Sequence, residues 1–209
     1  MLDTASFLEA IQGHRYETIF LVTLFTGMRQ GEVLGLTWDC VDLAKGTIVI
    51  NKQIQKKTGG GSVYNLVQTK NGKGRTITPA DYVMKLLRGQ KRQQAEWRLK
   101  AGPCWEGCPL GDLVFTDELG RHLMPHTIYH NFKKVVASIG LPDARFHDLR
   151  HSYAVAAIRS GDDIKTVQGN LGHATASFTQ DKYGHVTEQM KQASADRMQQ
   201  YIDRIKKSV

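Results

Sequence analysis

Hydrophobic positions recur with the helical period through most of this chain, and with the strand period mainly between residues 47 and 78. The segments "TASFLEAIQGH" and "RYETIFLVTLFTG" read as helices, and the second is apolar enough to predict burial on most of its sides. Gly27 ends it. "MRQGEVLGL" then restarts as a helix with Arg29 and Glu32 three apart on one face, and "TWDCVDLAKG" reads as loop and turn. "TIVINK" alternates as a strand, and "KKTGGGS" is a flexible, basic loop. "VYNLVQTK" and "KGRTIT" flank Asn71-Gly72, which predicts a two-stranded hairpin about that dipeptide.

A helix is predicted from Thr78 as N-cap, with Pro79 at its first position and Asp81 at its third, running through "DYVMKLLRGQKRQQAEWRLK". "DLVFTDELGRHL" gives a short strand and a turn. Pro125 starts a helix that Gly140 stops. The remainder is helical: about 147–160, ended by Gly161, then 163–168, a short piece near 175–182, and a last helix from about 187 to 206. The expected fold is mainly α with a small antiparallel β-sheet (α+β), in one domain over residues 1–209.

Composition narrows the function only in part. The chain carries 28 basic and 20 acidic residues, a net charge of +8, which favours a polyanionic partner. No apolar run reaches the roughly 18 residues that span a membrane, and "MLDTASFLEA" has no secretory layout. The expected location is cytoplasmic and nucleoid-associated. Three cysteines cannot complete a disulfide framework, and Cys104 and Cys108 in "GPCWEGCP" read as reduced thiols in a loop.

The densest polar cluster is "HDLRH", residues 147–151. His147 and His151 stand one helical turn apart, the spacing of a zinc-binding pair. Asp148, however, is one methylene shorter than the glutamate such a motif uses as base, and Arg150 disfavours a dication. The alternative is phosphate. His147 and Arg150 share the first turn of a helix, where unpaired backbone N–H groups favour an anion. Arginine's planar fork matches two phosphoryl oxygens. A third reading is a helix whose histidines are merely hydrogen-bonded or exposed.

Elsewhere the chain repeats the cationic theme in a fixed order. Arg29 within "TGMRQGEVLGLTW", Lys70 within "QTKNGKGRTI", His147 and Arg150 within "HDLRH", His173 within "LGH" and Tyr183 within "YGHV" together resemble the six-part signature of the tyrosine recombinases. These are the phage-type integrases, and the likeness is greatest to integrases of conjugative transposons. The spacings, 33 residues from Arg150 to Tyr183 and 10 from His173 to Tyr183, also fit. The resemblance covers about residues 15–190.

The resemblance implies a tyrosine-recombinase catalytic domain that cleaves and rejoins double-stranded DNA through a covalent 3′-phosphotyrosine. It implies no metal, no other cofactor and no small-molecule substrate, in integration or excision of a mobile element. Arg29, Arg150 and His173 would hold the non-bridging oxygens, Tyr183 would be the nucleophile, Lys70 the general acid, and His147 a base or orienter. Glu32 is expected to orient Arg29 by a salt bridge, and His151 to pack behind the site. Lys73 and Arg75, beyond the turn, are expected to contact the DNA backbone.

The upstream DNA-binding domains of full-length members are expected to be absent from this chain. Gly169 stands where relatives tend to carry a larger residue. The tail, 187–209, spaces Met190, Met198, Tyr201, Ile202 and Ile205 along one helical face, and is expected to dock on a neighbouring protomer on DNA, with packing on its own domain as the alternative.

Overall fold

Asp3 opens the first helix, α1 (Thr4–Ile11), by accepting the Ala5 N–H on its carboxylate. The apolar helix that follows, α2 (Glu17–Thr26), buries seven of its ten residues, as its composition predicts. Its threonines survive burial because Thr23 and Thr26 donate their hydroxyls to the carbonyls of Ile19 and Val22. Gly27 ends α2 in the left-handed conformation (φ 66°) and returns its N–H to the Thr23 carbonyl. The chain then runs extended through Arg29 into α3 (Gln30–Leu34). Arg29 is therefore the N-cap of α3 rather than a residue on its face.

These coordinates are a computed structural model, which describes residues 2–57, 59, 63–69, 72 and 74–172, with isolated positions beyond 191. Lys70, Lys73, His173 and Tyr183, and the helices expected near 175–182 and over most of 187–206, lie outside the described residues. The chain divides into two compact units, residues 1–153 and 154–209.

In the first unit the sheet region departs from a simple hairpin. Five strands form: β1 (Val41–Asp42), β2 (Thr47–Ile50), β3 (Lys52–Lys56), β4 (Tyr64–Gln68) and β5 (Arg75–Ile77). The chain β1-β2-β5 makes one antiparallel sheet, with Ile48 opposite Ile77 and Ile50 opposite Arg75. The ribbon β3–β4 is separate, with Ile54 opposite Leu66. The two runs that flank Asn71-Gly72 thus do not pair with each other. β3 offers β4 a five-residue register, while β2 takes β5 so that the buried Ile48 and Ile77 meet. The Gly72 N–H donates to the Thr69 carbonyl at 2.7 Å, and Gly72 has φ 62°. "TWDCVDLAKG", expected as loop, forms a short 3₁₀ turn (Trp38–Cys40) and then β1.

β3 packs on α3 at glycine distance. A Cβ on Gly35 would stand 2.6 Å from the Ile54 nitrogen, and one on Gly31 3.0 Å from the Ile54 oxygen.

The long helix α4 (Asp81–Ala101) starts two residues later than predicted, with Ala80 as N-cap. Asp81 supports the actual first turn through its ion pair with Lys85 at 2.9 Å. The strand expected near 113–116 is reduced to isolated bridges, Thr37 to Leu113 and Thr116 to His122. α5 (Pro125–Ser138) begins at its proline as expected. Phe7, Phe20, Phe132 and Phe146 make a buried ring cluster, with centroids 5.5–6.2 Å apart in contacting pairs. Pairs of this kind add roughly 0.5–1.5 kcal/mol each beyond their buried area. Phe146 immediately precedes α6 (His147–Arg159), so the core fixes where that helix begins.

In the second unit, Gly161 follows α6 with φ 106°. α7 (Ile164–Leu171) is capped by Asp163, which accepts from the Thr166 N–H and hydroxyl. It runs three residues past the predicted end, a turn that carries the buried Leu171 one turn beyond Val167. Gly169 has open space where its Cβ would be. The whole is mainly helical with small antiparallel sheets, as the periodicity predicts. Among the described residues no helix is long and apolar enough to cross a membrane.

Candidate active site

The site is built around one buried carboxylate. Glu32 sits at the third position of α3 and is 1% exposed. Its Oε2 accepts the Arg29 backbone N–H at 2.9 Å, which caps the helix, and its Oε1 accepts from Arg29 Nη1 at 2.7 Å. Arg75 closes on the other side as a fork, Nη1 to Oε1 at 3.0 Å and Nη2 to Oε2 at 2.7 Å. Burial alone raises a carboxylic pKa. Here the hydrogen bonds and charge of Arg75, then those of Arg29, outweigh it and hold Glu32 at about 2.

Glu32 and Arg29 form the expected salt bridge, at 2.7 Å, with Arg29 at the N-cap of α3. Arg75 differs from expectation: its side chain is 12% exposed and its fork is engaged on Glu32 rather than presented at the surface. The strand alternation was a usable signal, since Arg75 shares the face of the buried Ile77 two residues on.

Arg29 keeps 41% of its side-chain surface open. The second guanidinium approaches from α6. Arg150 is 2% exposed and donates from Nη1 to the Gly27 carbonyl at 2.7 Å, two residues upstream of Arg29. The helix-ending glycine therefore serves twice, turning the chain and offering its carbonyl. Sequence reasoning found the turn and missed the carbonyl. Gln30 ties the same loop to α5, donating to the Pro125 carbonyl at 2.8 Å.

His147 opens α6 and retains solvent contact. Desolvation of its ring, and after it the neighbouring His151, Arg150 and Arg29, push its pKa down to about 4 against the pull of Asp148. Arg29 and Arg150 therefore act on one and the same imidazole. At neutral pH that imidazole is uncharged and can accept a proton. His151 stands edge-on to it, with ring centroids 4.6 Å apart. Asp148 turns back to accept the Arg145 N–H at 2.8 Å, leaving the first turn of α6 ordered by its own carboxylate.

The structure thus brings together Arg29, Glu32, Arg75, His147, Arg150 and His151 within the first unit. The roots of the turn that contains Lys70 are fixed as well: the Thr69 N–H donates to the Asn51 carbonyl at 3.0 Å, and Arg75 pairs with Ile50. Lys70 and Lys73, like His173 and Tyr183, lie outside the described residues. Among the described residues no three His, Cys, Asp or Glu side chains gather as a metal ion requires. Such an arrangement can neutralise and orient a monoanion or dianion and can take up a proton beside it.

Comparison with known proteins gives this chemistry a context. The chain is 34% identical over 191 residues to a tyrosine recombinase XerC-like protein of Caldanaerobacter subterraneus subsp. tengcongensis, covering 88% of this chain and 49% of that protein. It spans about half the length of the curated relatives it matches. Its fold is similar to that of the Tn1549 transposon integrase in complex with transposon right end DNA, with TM-score 0.73 at 21% identity over 93% of this chain and 63% of that one. The catalytic domain of bacteriophage HP1 integrase is similar at TM-score 0.58 and 22% identity, over 94% of this chain and 93% of that one. Residues 3–190 match the phage integrase family. On that match, which leaves out only the two ends, the chain belongs to the phage integrase family.

Proposed function

We propose that this chain is the catalytic domain of a site-specific recombinase that cleaves and rejoins double-stranded DNA through a 3′-phosphotyrosine. The approach of Arg150 to the Gly27 carbonyl, two residues upstream of Arg29, carries the reading, because a phosphodiester gains about one further negative charge as it becomes pentacoordinate, and preorganised cations favour that state most.

In the proposed cleavage step the Tyr183 oxygen attacks the scissile phosphorus, and the bond to the 5′-oxygen breaks. Lys70 gives that oxygen a proton, leaving a 5′-hydroxyl. The tyrosine proton passes to His147, whose depressed pKa keeps it free to accept one. Arg29, Arg150 and His173 hold the non-bridging oxygens. Rejoining is the reverse, with a 5′-hydroxyl as nucleophile, so no nucleotide cofactor is consumed. The residues named require no metal. The reaction is expected on chromosomal or mobile-element DNA in the bacterial cytoplasm, within an assembly of protomers joined through the tail, 187–209.

A substrate nicked beside the cleavage site tests the reading. The chain should form a covalent protein–DNA adduct in EDTA, and Tyr183→Phe should form none. An adduct that persists in the Tyr183→Phe variant removes the nucleophile from the scheme, and cleavage abolished by the chelator removes the metal-free mechanism. Arg150→Ala should lower the cleavage rate by about 10²–10³-fold, the scale of a lost oxyanion donor.

A further inference from the structure

Resting on that reading, we propose that Arg75 is a positioning residue for strand cleavage, which keeps Arg29 available to the phosphate by saturating Glu32. Four hydrogen bonds reach the Glu32 carboxylate, two from Arg75 and two from Arg29. The Arg75 fork sets the plane of the carboxylate, since a bidentate pair fixes both oxygens at once. With the plane set, Oε1 takes a single hydrogen bond from the Arg29 guanidinium, through Nη1, and Oε2 takes the Arg29 backbone N–H. The rest of the Arg29 guanidinium stays outward, in the 41% of the side chain that solvent reaches.

Removal of Arg75 vacates two acceptor directions on a buried anion. The nearest donor able to fill them is Arg29 itself. Its fork would turn inward into a bidentate pair with Glu32, and the charge meant for the phosphate would be spent inside the protein. Arg75 is well placed to prevent this because its backbone belongs to β5, paired to β2 at Ile50, and so is anchored apart from the Arg29 loop. A lysine there keeps the charge and loses the fork. It holds Glu32 at one point and leaves the carboxylate free to rotate.

The test compares two scissile groups in nicked DNA: an ordinary phosphodiester and a methylphosphonate, in which one charged non-bridging oxygen is replaced by a methyl group. Wild type, Arg75→Ala, Arg75→Lys and Arg29→Ala are followed in single-turnover adduct formation. On the phosphodiester, Arg75→Ala should be slower than wild type by about 10²-fold, the cost of misplacing a catalytic group by about 1 Å. Arg75→Lys should fall between the two. On the methylphosphonate, which asks for less cationic charge, the deficits of Arg75→Ala and Arg29→Ala should shrink together. An Arg75 deficit of equal size on both substrates marks a merely structural role and overturns the proposal, as does an Arg75→Ala rate equal to wild type. Arg75→Lys carries the comparison if the alanine variant does not fold. Failure of the wild type to form any adduct would instead sink the recombinase reading itself.

Discussion

Two side chains in this site have acid–base behaviour set by their surroundings, in ways that can be measured one residue at a time. His147 titrates in the folded protein at about 4, below the usual histidine value near 6.5. A depressed histidine pKa means that the folded state resists protonation. Stability from this group is complete above about 6.5 and is lost as pH falls toward about 4. Nuclear magnetic resonance of the DNA-free protein should place the His147 midpoint near 4, and a bound phosphate, by offsetting Arg29 and Arg150, should raise it. A midpoint at the ordinary value would show that neither burial nor the neighbouring cationic groups act on the ring.

Glu32 gives a second acid limb, since its contribution is present above about 4.5 and is lost as pH falls toward about 2. Glu32→Gln should remove that limb from the pH dependence of unfolding. Glu32→Ala should cost stability near the lower end of the roughly 3–5 kcal/mol seen when one partner of a buried ion pair is removed, because Arg75 retains some access to water. Both the histidine–arginine turn and the Arg29–Glu32 pair were legible in the sequence, because each is local. The Gly27 carbonyl and the Arg75 fork were not, since each answers a residue more than 40 positions away.

At the scale of elements, periodicity predicted the helices well where a hydrophobic face or a glycine stop was present, as in α2, α5 and α6. It failed at pairing. Asn71-Gly72 specifies a turn and says nothing about which strands its arms will join. That choice fell to the register of β3 against β4 and to the burial of Ile48 on Ile77. The start of α4 also differs, falling at Asp81 with Ala80 rather than Thr78 as N-cap. Gly89 lies inside α4 with no atom within 4 Å of a Cβ placed there. Gly89→Ala should raise stability by about 0.5–1 kcal/mol, visible as a higher Tm.

Over the whole molecule, the excess of positive charge reads as affinity for a polyanion, and ionic strength is the way to measure it. If the domain binds DNA as proposed, log Kd should rise linearly with log salt concentration, by about 0.9 per phosphate neutralised. Arg75→Ala should lower the slope as Arg29→Ala does, because without the Arg75 fork the Arg29 guanidinium turns inward onto Glu32. Lys73→Ala should lower it by about 1 if Lys73 contacts a phosphate. A slope that Arg75→Ala leaves unchanged would show that Arg29 stays outward without the fork. Overall charge points toward the proposed partner, whereas the division of individual cations between internal and external duty is visible only in the structure.

The contact between β3 and α3 has a mechanical consequence. Where Gly31 and Gly35 meet the backbone of Ile54 there is no room for slack, so strand and helix can shift only together. A load applied to the β3–β4 ribbon is therefore passed to that short helix at Gly31, two residues from where Arg29 begins it.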